Sequence, residues 1–158
     1  MNKKLQMVFN EQIKNEFYSA YLYLSMANYF ASKNLKGCSH WMRIQVNEET
    51  EHAIKMLDFL IKEDSKVILQ TIPQPPTNFS SPRVAFEKTL AHEKKVTTLI
   101  HNLSNLAKQA NNKIAHNFLN WFIKEQVEEE KNATNILNDF KTINNLSKID
   151  NKLAKRKA

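Results

Sequence analysis

Glu49-Thr50-Glu51-His52 and Gln126-Val127-Glu128-Glu129 are the two stretches on which the fold turns. Each lies in a long segment whose apolar residues recur at steps of three and four, the period of one helix face. The second segment reads Met42, Gln45, Glu49, His52, Met56, Phe59, and the fourth reads Phe118, Phe122, Gln126, Glu129, Ala133, Ile136, Phe140. Working outward, the first runs Phe9, Ile13, Glu16, Ala20, Tyr23, Ala27, Phe30, and the third Phe86, Leu90, Glu93, Thr97, Ile100. A glutamate therefore interrupts the apolar stripe of each of four helices. One such residue has a bland reading, a frayed edge or a hydrogen-bonded core side chain. Four of them, with a histidine one turn beyond one, ask for a common cause. Buried carboxylates need compensating positive charge, and no Lys or Arg falls on the stripes. Metal cations supply it.

Composition sets the frame. The chain has 158 residues, 42% hydrophobic, with one Gly and four Pro, which predicts one domain over residues 1–158, almost wholly helical. The single cysteine, Cys38, excludes a disulfide framework and a Cys-x-x-Cys metal module, and fits a reducing compartment as a small buried hydrophobe. The first residues carry no apolar signal core, and no stretch approaches membrane-spanning length. A soluble cytoplasmic protein is expected.

Punctuation divides the chain into helices over about residues 3–32, 38–64, 83–110, 113–141 and 147–155. Gly37 is read as closing a tight turn after Lys33–Lys36, which makes the first two helices antiparallel neighbours. Ser81 and Pro82 read as an N-cap followed by proline at the first helical position. The loop over residues 65–81 is long enough, at about 3.3 Å per residue, to travel the length of a helix. Its long crossover between helices 2 and 3, with two helices giving single carboxylates and two giving i, i+3 pairs, is the arrangement of ferritin-like two-metal bundles.

The whole chain resembles the bacterial non-haem ferritins. The resemblance rests on Glu16-Phe-Tyr-Ser-Ala-Tyr-Leu-Tyr-Leu-Ser-Met-Ala27, Glu48-Glu49-x-x-His52, Ala91-His92-Glu93 and Trp121-Phe-Ile-Lys-Glu125-Gln126-Val-Glu128-Glu129-Glu130. It implies an all-α four-helix bundle with a short fifth helix. It further implies a first iron held by Glu16, Glu49 and His52 with Gln126 close by, and a second held by Glu93 and Glu129 and bridged by Glu49. A third, more inward iron position would use Glu48, Glu125, Glu128 and Glu129, and Tyr23 and Trp121 match the aromatic pair beside the centre. Implied too are Fe(II) oxidation by O2 or H2O2 and storage of ferric mineral in a homo-oligomeric shell of about 24 subunits.

The ligand types agree with that chemistry, since carboxylates with one imidazole form a hard, oxygen-rich site suited to iron. Bacterioferritins carry a second Glu-x-x-His and a haem-ligating Met; this chain has Gln126-x-x-Glu129 and Thr50 there, so haem is not expected. One cysteine cannot build the extra iron domain of rubrerythrins. The formal net charge of +7 and the Lys152–Ala158 tail raise an alternative, a DNA-binding protection protein of the mini-ferritin kind. Against it, seven of the 16 acidic residues belong to the metal region, so the remainder looks basic partly by subtraction, and no aromatic interleaving accompanies the lysines. Neither nucleic acid nor a membrane is an expected partner. Glu51, Glu130, His40, His92, His101 and His116 are read as surface or internally satisfied groups, and Met7, Met26, Met42 and Met56 as core filling. Tyr18, Leu22, Met26 and Tyr29 are read as a face left over for a twofold partner. No Asp or Glu lies between Lys94 and Lys124, so a threefold pore there would attract Fe(II) weakly.

Overall fold

A computed structural model describes residues 1–158 and contains five helices and no strand: α1 (Lys3–Ser32), α2 (Lys36–Lys62), α3 (Pro82–Gln109), α4 (Lys113–Thr142) and α5 (Leu146–Leu153). The starts are set by side chains that accept the free N–H groups of a first turn. Asn2 Oδ1 accepts from Leu5 N at 2.8 Å, Ser81 Oγ from Val84 N at 3.2 Å, Asn112 Oδ1 from Ala115 N at 3.0 Å, and Asn145 Oδ1 from Lys148 N at 3.1 Å. Pro82 opens α3 as its spacing predicts. Three chain reversals place Asn34, Asp64 and Asn111 in the left-handed region, at φ 58°, 49° and 53°.

Gly37 does a different job from the one its sequence position suggests. The turn lies at Lys33 and Asn34, and Gly37 sits inside the first turn of α2, without a positive φ. A Cβ there would lie 1.8 Å from Asp150 O and 3.0 Å from Ala154 N, so its absence is what lets α5 rest on the start of α2. α2 has no local side-chain cap; Asp150 Oδ1 of α5 supplies one, accepting from Cys38 N at 2.8 Å. α2 also ends before Glu63 rather than at residue 64, because the chain already bends at Asp64.

α1 pairs with α2 and α3 with α4, and residues 63–81 carry the chain back along the bundle. That crossover is clasped to α1. Asn10 Nδ2 donates to Lys66 O at 3.0 Å while its Oδ1 accepts from Ile68 N at 2.6 Å, Ser25 Oγ donates to Pro76 O at 2.6 Å, and Phe79 is buried against Tyr29, ring centres 5.3 Å apart. From Asn10 to Tyr29 is about 28 Å of helix at ~1.5 Å per residue, the distance the loop must cover.

The covered circumference of α1 is therefore wider than a two-neighbour stripe, which corrects one expectation. Leu22, Met26 and Tyr29 are buried within the chain's own core, with Tyr18 packed against it. The large side chains that α1 leaves exposed are Met7 and Tyr21, so Met7 does not fill the core either.

The apolar core is split in two. One cluster of 15 residues, with Phe30, Met42 and Phe86, gathers around the start of α2 and includes Ile149 and Leu153 of α5. A second, of 13, with Phe9, Met56, Ile100 and Phe122, fills the other end. Between them lies a waist where the buried residues are mostly polar: Glu16, Ser19, Gln45, Glu49, His52, Thr89, Glu93, Gln126 and Glu129. No helix is long and apolar enough to cross a membrane.

Candidate metal centre

The waist gathers what the four stripes carry. Glu16, Glu49, His52, Glu93 and Glu129 are each at most 5% exposed. Glu16 with Glu49 and His52, and Glu49 with Glu93 and Glu129, form two sets whose ligand atoms all lie within 4.8 Å of one another, with Glu49 common to both. A third set of the same tightness joins His52, Glu125 and Glu129.

Side chains on the same helices hold these carboxylates in place. Gln12 Nε2 donates to Glu16 Oε1 at 2.8 Å. Gln45 Nε2 donates to Glu49 Oε1 at 3.1 Å and Glu129 Oε2 at 2.8 Å, and Gln126 Nε2 donates to Glu93 Oε2 at 3.1 Å and Glu93 O at 3.2 Å. Tyr23 donates its phenolic proton to Glu93, which identifies Tyr23 as a neighbour of the centre. Trp121 lies edge-on to His52, ring centres 5.4 Å apart, with Lys55 Nζ 3.9 Å from the Trp121 ring centre. These rings border an open cleft of about 550 Å³ that reaches His52, Glu48 and Glu125 from solvent.

Charge is left over. His52 Nδ1 lies 3.4 Å from Glu49 Oε2, and no other ion pair reaches Glu16, Glu49, Glu93 or Glu129. Burial, then the neighbouring Glu49 charge, pushes the Glu16 carboxyl from an ordinary 4.5 to about 8. Burial raises Glu93 to about 7, and burial together with Glu93 raises Glu129 to about 7. Glu49 is driven up by burial and by Glu93 and Glu129. Glu16 Oε2 is buried with no hydrogen-bond partner at all. An orphaned oxygen among carboxylates that repel one another fits a cation-binding role, and hard oxygen donors with one imidazole suit iron.

Two residues of the implied third position have charged partners of their own. Glu128 is exposed and faces Lys131, 3.6 Å away, because the step from Glu129 to its neighbour on a helix turns the side chain toward solvent. Glu48 pairs with Arg156 of the C-terminal tail at 2.5 Å. Gln12 and Arg156 lie on none of the four stripes, and Gln45 stands on the second without a role of its own. The shared spacing Gln12-x-x-x-Glu16 and Gln45-x-x-x-Glu49 is the signal that identifies the two glutamines. His92 is satisfied rather than a ligand: Ser19 Oγ lies 2.7 Å from its Nε2, and burial with Lys95 lowers its pKa to about 4.

An all-α bundle with one long crossover and a buried carboxylate and imidazole cluster at its waist is the class that this fold and site define. The ferritin-like domain model matches residues 8–143. Bacterial non-heme ferritin of Bacteroides fragilis is 38% identical over 141 residues, 89% of each chain, and that of Campylobacter jejuni 36% over 143 residues, 90% of this chain and 86% of the relative. An open pore ferritin from the hyperthermophilic archaeon Archaeoglobus fulgidus superposes with a TM-score of 0.97 at 43% identity, covering 99% of this chain and 98% of the other. A humanized archaeal ferritin does so at 0.98 and 42%, covering 100% and 99%. The chain belongs to the ferritin family.

Proposed function

We propose that this chain is the subunit of an iron-storage ferritin that oxidises Fe(II) at its waist and deposits ferric mineral in a homo-oligomeric shell of about 24 copies. The observation that carries the reading is the convergence of Glu16, Glu49, His52, Glu93 and Glu129 without a countercharge, with Glu16 Oε2 left unpartnered. Glu16, Glu49 and His52 would receive one Fe(II), Glu93 and Glu129 a second, and Glu49 would bridge the two. Held side by side, two Fe(II) ions give up one electron each; O2 accepts both with two protons and leaves as H2O2. Where H2O2 is the oxidant, the same two electrons with two protons break its O–O bond to two waters. Gln126 and Tyr23 each hold one oxygen of Glu93 and so orient its carboxylate toward the centre. A further iron position would draw on Glu125 and Glu129, which converge with His52, and on Glu48, which lines the same cleft.

Stopped-flow oxidation of the metal-free protein at about two Fe(II) per chain tests this, because paired oxidation requires both positions. The expected result is a fast phase that saturates at that ratio and is abolished in Glu49→Ala. Fast oxidation unchanged in Glu49→Ala would refute the reading. The homologous fold and the carboxylate cluster favour this over DNA protection, and DNA retardation at moderate salt would reverse that preference.

A further inference from the structure

The C-terminal strap ends on the metal centre. α5 is anchored by Ile149 and Leu153 in the core, by the Asp150 cap on Cys38 N and by the close approach at Gly37. From there Arg156 turns inward. Its guanidinium stacks on Trp41, Cζ 4.2 Å from the ring centre; Nη1 donates to Gln45 Oε1 at 2.9 Å and to Trp41 O at 3.2 Å; Nη2 donates to Glu48 Oε2 at 2.5 Å.

Each bond has a consequence one atom further on. A primary amide has one oxygen and one nitrogen, so fixing Gln45 Oε1 on a cation forces Nε2 toward Glu49 and Glu129, where it donates to both. Glu48 lines the cleft beside Glu125, yet one of its oxygens is already committed to a cation that belongs to the chain.

We propose that Arg156 is a positioning residue for this side of the centre: the docked strap fixes Gln45 and occupies Glu48 with its own charge, and so decides whether the Glu48 carboxylate is open to a divalent cation. The inference rests on the reading that the waist takes divalent cations. The planar guanidinium offers one nitrogen to each of the two oxygens, a match that a lysine's single ammonium makes less well.

The experiment is equilibrium dialysis of the full-length protein with Co(II), which is not oxidised under these conditions, for the parent, Arg156→Gln, Arg156→Lys and the pair Arg156→Gln with Glu48→Gln. Far-UV circular dichroism and thermal melts establish that each variant is folded; the other anchors of α5 remain in all of them. Removing one charge at hydrogen-bond distance predicts that the weakest Co(II) class tightens by about 10-fold or more in Arg156→Gln. Arg156→Lys is expected to lie between, and the paired substitution to return to the parent isotherm. Superimposable isotherms for parent and Arg156→Gln would overturn the proposal, as would a gain that survives loss of Glu48. Parent protein that binds no Co(II) at all would instead strike at the proposed function, whatever Arg156→Gln then does.

Discussion

At Glu16 a sequence stripe and a structural anomaly meet. Its place in the stripe is legible because helix periodicity alone fixes which residues face inward, and the same logic identifies Glu49, His52, Glu93, Gln126 and Glu129. What the stripe cannot convey is protonation. Glu16, Glu93 and Glu129 hold protons at about 8, 7 and 7 in the folded metal-free chain, against an ordinary 4.5. Between those limits the native state binds more protons than the unfolded chain, so stability falls as pH rises. The contribution is complete below about pH 4.5 and is lost through pH 7 to 8. Thermal melts of metal-free protein should therefore show a lower Tm at pH 8 than at pH 5.5, and Glu16→Gln should flatten that slope. Adding Zn(II) at pH 8 should raise Tm and release protons, which a weakly buffered titration detects. Glu49→Gln, neutral at every pH, is expected to cost fast Fe(II) oxidation without lowering the Tm of the metal-free protein at pH 8. Glu128 is assigned by the resemblance to the third position alone. It lies outside the buried cluster and faces Lys131, so Glu128→Ala should leave the first fast turnover intact in stopped-flow.

Among the elements, the four long helices and the crossover are readable because caps, proline placement and periodicity are local signals. α5 is not, beyond its existence. Its docking depends on contacts between residues more than 100 positions apart, such as Cys38 with Asp150 and Gln45 with Arg156. Gly37 looks like a turn residue from sequence because glycine usually ends helices; here a backbone oxygen of another helix claims the space. Gly37→Ala should then destabilise the protein by about 1–3 kcal/mol, the usual range for forced overpacking, although alanine is the better helix former. Denaturant melts measure the loss, and a stabilised variant would contradict the docking described for α5. Asn10→Ala removes both hydrogen bonds to the crossover and should cost about 1–3 kcal/mol, with protease cleavage appearing between residues 65 and 72.

For the whole molecule, the exposed apolar side chains are the ones left for partners, and they differ from those the first stripe suggested. Tyr21 on α1 and Ile68, Leu69 and Ile72 on the crossover are open, whereas Leu22, Met26 and Tyr29 are already covered. Light scattering of the purified protein should report a large closed assembly, and Leu69→Glu should shift it toward smaller species while leaving the helical content unchanged. A stable monomer in the parent would remove the storage reading and leave a bundle that only oxidises iron. The two-part core has a mechanical meaning as well. Apolar packing grips both ends of the bundle, but the middle is joined through glutamines and protonated acids, the least cohesive stretch of the four helices. Without cations this is where amide protons should exchange with solvent earliest, by small separations of α2 from α4 that leave both ends closed. On the proposed function, a cation bound at the waist would act as a rivet, stiffening the middle of the subunit when held and loosening it when released.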